Sequence, residues 1–403
     1  SSGGVRRYLQ VADESVIDSG IHGIPTNRRV PLAASRHGGR LIAQGIDTTK
    51  NGEVARGRKF FFHKKSFRTS VRIFWYDNFR CHKGASYSTV CNWYIKINGK
   101  HCADPGRMGG NHHMHVQNAH NFHWSSSVLS YCNRLEGETT NILPGRHRLT
   151  VHEESHGDGG GGEPYLGWGH ATYSMDVMEV PAREPGTNKR GNYLFSTTFK
   201  HADSTHNGFL NNAYRKLTFA KKLDDTFVRI TWFDNFRCEG SGAFSCRWYV
   251  MIDDLECVSP GPVRFYYYRN LYANMHIPRV LFAYCKATSS GNINAGSHTV
   301  TIYQSGGNNP YLGWNDQTQT IELMEVDLHA YLSPYTVHFS QGNDGCEDCL
   351  INRLSFNFNK QLGGTPLRIT WHDNFRCIGQ GKTCQWEILF NGEGCGDPGP
   401  IAH

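Results

Sequence analysis

At 403 residues and a formal net charge of +7, the chain is long enough for two to four domains, each burying its own core. Its Lys and Arg residues are dispersed rather than gathered in one basic tract, which argues against sequence-specific nucleic-acid binding, and no apolar run reaches the length of a membrane span. The 22 Phe, 19 Tyr and 9 Trp set among 44 Gly favour many short strands joined by tight turns, and 13 Cys at recurring intervals point to an oxidising compartment.

The chain opens Ser1-Ser2-Gly3-Gly4 without a methionine, as after removal of a leader, and residues 1–30 read as a polar arm outside the repeated part of the chain. From residue 31 the sequence repeats itself. VRIFWYDNFRC at 71–81 returns as VRITWFDNFRC at 228–238 and as LRITWHDNFRC at 367–377. Each copy continues in parallel through Cys91-Asn92-Trp93, Cys246-Arg247-Trp248 and Cys384-Gln385-Trp386. The boundaries are set at 31–181, 182–327 and 328–403. The first two copies stay in step through NFHWSSSVLSYC and NMHIPRVLFAYC, then PYLGW, and close on Met-Glu-Val. The third has no counterpart of Tyr266 through Val326. A domain without those strands exposes edges and core, so either the chain is truncated there or another segment completes the third repeat.

VRITW, RWYVMI, VRFYYY, HTVTIY and TIELMEV are short, rich in aromatic and β-branched residues, and bounded by Gly, Pro, Asn or Asp. No long amphipathic helix competes with them. The fold class is therefore all-β: tandem antiparallel β-sandwiches, jelly-roll-like and stabilised by disulfides.

Several stretches of the first repeat carry candidate chemistry. The run Asn111–His123 holds His112, His113, His115, His120 and His123. On a strand His113 and His115 share a face, and two such imidazoles bind zinc or copper when a neighbour supplies a third ligand. The second repeat has VRFYYYRNLYANMHI in that place, so any metal or mineral contact belongs to the first copy. His152-Glu153-Glu154-Ser155-His156 has the H-E-x-x-H spacing of zinc proteases, but the alternation before it and Gly159–Gly162 after it place it on a strand. There, residues four apart stand about 13 Å from each other, too far to share one zinc.

The repeated Asp-Asn-Phe-Arg offers Asp77 and Asn78, Asp234 and Asn235, and Asp373 and Asn374 as candidate ligands for calcium or sugar hydroxyls; the competing reading is a turn with a structural arginine partner. PYLGW reads as a turn glycine between packed aromatics.

The first copy holds Cys81, Cys91, Cys102 and Cys132, and the second Cys238, Cys246, Cys257 and Cys285. Four cysteines allow three pairings. First-with-second and third-with-fourth is favoured, because the first pair flanks a short connection between two strands. The third copy holds Cys377, Cys384 and Cys395, and GCEDC adds Cys346 and Cys349, which read as a local or interdomain disulfide rather than a redox or zinc half-site.

The order Cys, CRWYVMIDDLEC, SPGPV, NMHIPRVLFAYC, a Gly-Ser-His strand, LGWN and IELMEV resembles the C-terminal domain of the collagen triple helix repeat-containing proteins. The resemblance implies a secreted jelly roll related to the trimeric complement and tumour-necrosis-factor domains, with no catalytic residue to carry over. This chain lacks a Gly-X-Y tract, so the collagen stalk is missing, and it strings several copies together. Because such relatives associate about a threefold axis, the three linked copies are expected to form an intrachain pseudo-trimer.

These readings lead to a secreted, non-enzymatic structural or scaffold protein of a matrix, fibre or mineral-associated assembly. It would act by self-association, with anionic polymers, glycans or mineral surfaces as further partners, without a nucleic-acid partner and without an obligatory cofactor. The alternatives are a lectin with repeated sites and a His-cluster protein binding zinc; calcium would enter through the Asp-Asn pairs.

Overall fold

A computed structural model of the chain describes residues 7–13, 38–44, 54–82, 88–115, 121–155, 162–167, 172–181, 194–199, 215–240, 244–259, 261–269, 273–306, 309–313, 318–326, 336–339, 357, 367–372, 386–396 and 401–402. Among them regular structure is almost entirely antiparallel strand, and no helix is long and apolar enough to cross a membrane.

The first repeat is a sandwich. One sheet runs Asn121–Cys132, Thr69–His82, Thr172–Pro181, Gly38–Gln44, with Glu163–Leu166 also pairing Thr69–His82. The facing sheet runs Val54–Lys64, Gly145–Ser155, Ser88–Ile97, Met108–His115. Along Thr69–His82 buried and half-buried positions alternate, as the pleat requires of a strand with one face on the core. That face supplies Val71, Ile73, Trp75 and Phe79 to a core shared with Phe62, Trp93 and Ile95 of the opposite sheet. The second repeat repeats the plan: Ala273–Cys285, Phe227–Gly240, Gln319–Val326 and Leu194–Phe199 face Lys216–Lys221, Gly296–Gly306, Phe244–Ile252 and Arg264–Arg269. The tandem jelly-roll-like sandwich expected from the sequence is present.

Disulfides join Cys81 to Cys91, Cys102 to Cys132, Cys238 to Cys246 and Cys257 to Cys285, the favoured pairing in both copies. Cys346, Cys349, Cys377 and Cys384 lie outside the described residues.

Two relations in the fold differ from what the sequence alone suggests. Matching the shared Thr-Val pair sets Val151 against Val300, but Ile95 pairs with Val151 whereas its counterpart Val250 pairs with Ile302. The true register is two residues further on, so His152 and Glu153 correspond to Tyr303 and Gln304. A shift of two keeps the same face of the strand, which is why the hydrophobic pattern concealed it. The arm also does not stay outside the repeats. Arg7–Asp13 forms a strand between Thr336–Phe339 and Leu367–His372 of the third repeat.

Candidate functional site: the seam between the first two repeats

The thrice-repeated Asp-Asn-Phe-Arg, a candidate ligand site in the sequence, is an internal clasp where the structure describes it. Both Asp77 oxygens take hydrogen bonds from Arg58, at 2.9 Å each, with Trp75 Nε1 and the Asn78 amide adding donors. Asp234 does the same with Arg215, Trp232 Nε1 and the Asn235 amide. Arg58 and Asp77 are 0 % and 1 % exposed, so the carboxylate faces its own arginine and not solvent. The Arg at the end of the motif stacks on the tyrosine of PYLGW: Arg80 on Tyr165 at 4.9 Å and Arg237 on Tyr311 at 4.4 Å. The following glycines, Gly167 and Gly313, take φ of 85° and donate their amides to the Asn78 and Asn235 carbonyls. The two repeated motifs therefore lock to each other. This corrects the expectation of an open ligand site at Asp77 and Asp234; Asp373 and Asn374 lie outside the described residues.

The H-E-x-x-H stretch follows its strand reading through Gly145–Ser155, with Glu153 buried opposite Trp93; His156 lies outside the described residues. Among the described residues, no group of three or more His, Cys, Asp or Glu is placed to hold a metal ion.

The strand that carries His112, His113 and His115 occupies a junction between repeats. His112, His113 and His115 are on Met108–His115, whose free side pairs with Ala273–Cys285 of the second repeat, His113 opposite His276, Met114 opposite Met275 and His115 opposite Asn274. His123 is on Asn121–Cys132 opposite Arg80, and His120 lies outside the described residues. Through this ladder a sheet of the first repeat continues into a sheet of the second.

Beside the ladder lies a polar knot. Arg72 of the first repeat grips Glu322 of the second, Nε to Oε2 at 2.7 Å and Nη2 to Oε1 at 3.2 Å. Tyr131 of the first repeat donates to the same carboxylate at 2.9 Å, and Arg229 of the second approaches it at 3.4 Å. Burial opposes ionisation of Glu322, but the Arg72 and Arg229 guanidinia outweigh it and hold the carboxyl below its ordinary range. Arg72 likewise stays charged despite burial, its pKa raised by Glu322 and Tyr131.

Apolar contact completes the seam. Phe233 and Val280 of the second repeat join the core of the first, and Ser126 Oγ donates to the Pro278 carbonyl. Gly110 admits Pro278 closely: a Cβ there would lie 3.2 Å from the proline ring.

No sequence motif marks this seam. The signal was Glu322 between Ile321 and Leu323, against an arginine held at one place in every copy: Arg72, Arg229 and Arg368.

The family model of the CTHRC1 C-terminal domain matches residues 46–174 and, separately, 201–321. The chain belongs to the CTHRC1 C-terminal domain family. Its two matched segments are the two repeats that meet at the seam, so the seam is a contact between two CTHRC1-type domains in one chain. The family is related to the extracellular matrix, and the four disulfides fit an oxidising, extracellular setting. No curated protein matches the chain. Among solved structures, the Macrobrachium rosenbergii nodavirus aligns at 9 % identity over 78 % of this chain and 97 % of its own, with a TM-score of 0.10, too low to inform the fold.

Proposed function

We propose that the protein is a secreted, non-enzymatic structural component of an extracellular assembly, and that it works by association between CTHRC1-type domains. The seam carries this reading. Its two sides are different surfaces, an edge strand of one sheet in the first repeat and an edge strand of the other sheet in the second. Such a heterologous contact can recur from copy to copy, closing into a ring or extending as a filament. A contact between the second and third repeats follows the same pattern: Ala273–Cys285 touches Leu367–His372, as Asn121–Cys132 touches Phe227–Gly240. This supports a pseudo-threefold arrangement within the chain.

Light scattering of native protein over a wide concentration range, with electron microscopy of the concentrated sample, tests the proposal. Mass rising with concentration to rings or fibres is expected, and a constant monomeric mass overturns it.

The metal-binding alternative keeps one supporting observation, the placement of His276 of the second repeat directly across from His113. Zinc titration of the wild type against His113→Ala/His115→Ala tests it; equal binding by both chains rules it out.

A further inference from the structure

The outer face of one sheet in the first repeat gathers positive charge. Val54–Lys64 is the edge strand there and Gly145–Ser155 lies beside it, with Lys59 opposite Thr150, Phe61 opposite Arg148 and His63 opposite Arg146. Lys59, Phe61 and His63 alternate with buried Phe60 and Phe62, so the pleat turns them outward, and Arg146 and Arg148 are likewise exposed. Lys96, on the third strand, stands opposite Thr150 from the other side.

Arg148 thus has Arg146 two residues along its own strand, and Lys59 and Lys96 diagonally across on the flanking strands, within reach of long side chains. Like charges so placed repel, and the chain does little to offset them. Of these four cations only Lys96 has an ion-pair partner among the described residues, Glu154 at 3.3 Å. Arg146 lies instead over the ring of Phe61, 4.0 Å from its centroid, and Phe61 itself is 44 % exposed. His152, further along the face, feels the charge: burial first, then Lys96 and more weakly Arg148, lower its pKa against the pull of Glu154.

The second repeat has a different face on the same ladder. At the corresponding positions it carries Lys216, Thr218 and Ala220 on the edge strand, Ser297 and Thr299 on the next and Met251 on the third. Lys59 has an equal in Lys216, but Phe61, His63, Arg146, Arg148 and Lys96 have none. The domain therefore folds without the arginines and the phenylalanine. A face that accumulates repulsion with no folding role is explained by a ligand that neutralises it.

We infer that this face of the first repeat binds a linear acidic polysaccharide. Each guanidinium offers a planar pair of donors to a sulfate or carboxylate group. Cations spread along about 13 Å of strand follow an extended polyanion better than they enclose one small anion. The exposed ring of Phe61 adds an apolar surface for the apolar side of a sugar ring. The disulfides fit an oxidising, extracellular setting, which favours polysaccharide over nucleic acid as the polyanion. Val54–Lys64 and Gly145–Ser155 are the strands of this sheet farthest from Met108–His115 and its ladder to the second repeat, so the inference goes beyond the association proposed above and does not rest on it.

The test titrates heparin, as the polysaccharide probe, into the full-length chain and two variants. Arg146→Ser/Arg148→Thr installs the residues of the second repeat; Lys216→Ser/Lys222→Ser removes the same charge from exposed positions of the second repeat. Saturable binding by the wild type is expected, weaker by at least about tenfold in the arginine variant and unchanged in the lysine variant, with the slope of log K against log salt shallower by about 1–2 in the arginine variant alone. Absence of saturable binding by the wild type overturns the inference, and so does an equal loss in both variants, since net charge alone would then carry the binding. Double-stranded DNA bound as tightly as heparin overturns the assignment to a polysaccharide. Hydrogen exchange on the wild type needs no variant: heparin is expected to slow exchange in 59–63 and 146–150, and slowing elsewhere with these segments unchanged also overturns it. Heparin binding by a strictly monomeric chain leaves this face standing and removes the proposed function; assembly without heparin binding does the reverse.

Discussion

Arg72 and Glu322, 250 residues apart in sequence, form a two-point ion pair inside the seam between the first two repeats. Removing one partner strands the other's charge out of water. Glu322→Gln is expected to destabilise the protein by about 3 kcal/mol or more, since breaking a buried pair costs more than the pair's net worth. Thermal denaturation measures it, and a change within about 0.5 kcal/mol, that of an ordinary surface substitution, would show that the pair holds nothing.

The same carboxylate makes the seam sensitive to acid. Its folded pKa is below the ordinary value of 4.5, so its stabilising contribution is complete above that value and declines as the pH falls through the lower folded one. Stability is expected to drop as the pH falls below 4.5, with a shallower slope in Glu322→Gln. An identical slope in the two proteins would remove Glu322 as a source.

Gly110→Val is expected to pry the repeats apart without unfolding either. A Cβ at this position already comes within 3.2 Å of Pro278 and 3.4 Å of Val128, and a branched side chain needs more room. Faster hydrogen exchange confined to 108–115 and 273–280 is the expected readout. Loss of protection in 244–252, deep in the second repeat, would mean that the seam is not what Gly110 guards.

Glu153→Gln is expected to be nearly silent, because the second repeat has Gln304 at the corresponding ladder position. A melting temperature within a few degrees of wild type is expected, corresponding to less than about 1 kcal/mol. Metal-dependent hydrolysis abolished by this substitution would refute the non-enzymatic reading.

Non-reduced peptide mapping is expected to recover Cys81 with Cys91, Cys102 with Cys132, Cys238 with Cys246 and Cys257 with Cys285. Replacing both cysteines of one pair by Ser is expected to cost about 2–4 kcal/mol. Substantial recovery of alkylated Cys81 or Cys238 would contradict the pairing.

Elements whose cause is local were legible in the sequence. The strand at 71–81 announces itself by alternation, Gly167 and Gly313 by the turn they make, and the disulfides by cysteines flanking short connections. What was misread depends on distant partners. Asp77 stays open between a ligand and an arginine-held turn until Arg58 is seen bound to both its oxygens, and the third ligand sought for His113 and His115 has no address until Ala273–Cys285 is found beside their strand. Periodicity reports which face of a strand is apolar, but not which other strand lies along its edge. Arg7–Asp13 was passed over for the same reason: a seven-residue strand carries little signal until its register can be compared with two others.

The position next after the Trp-facing residue of the last strand is Asp176 in the first repeat, Glu322 in the second and Gln10 in the arm. In an assembly of identical subunits one codon would set all three at once, and a buried acid would be introduced in triplicate with its mutual repulsion. Fusion of the copies in one chain lifts that constraint. Each site can drift alone, so Glu322 can sit between Arg72 and Arg229 while the equivalent places hold Asp176 and Gln10. Covalent linkage thereby converts a symmetric junction into one whose sides can specialise separately.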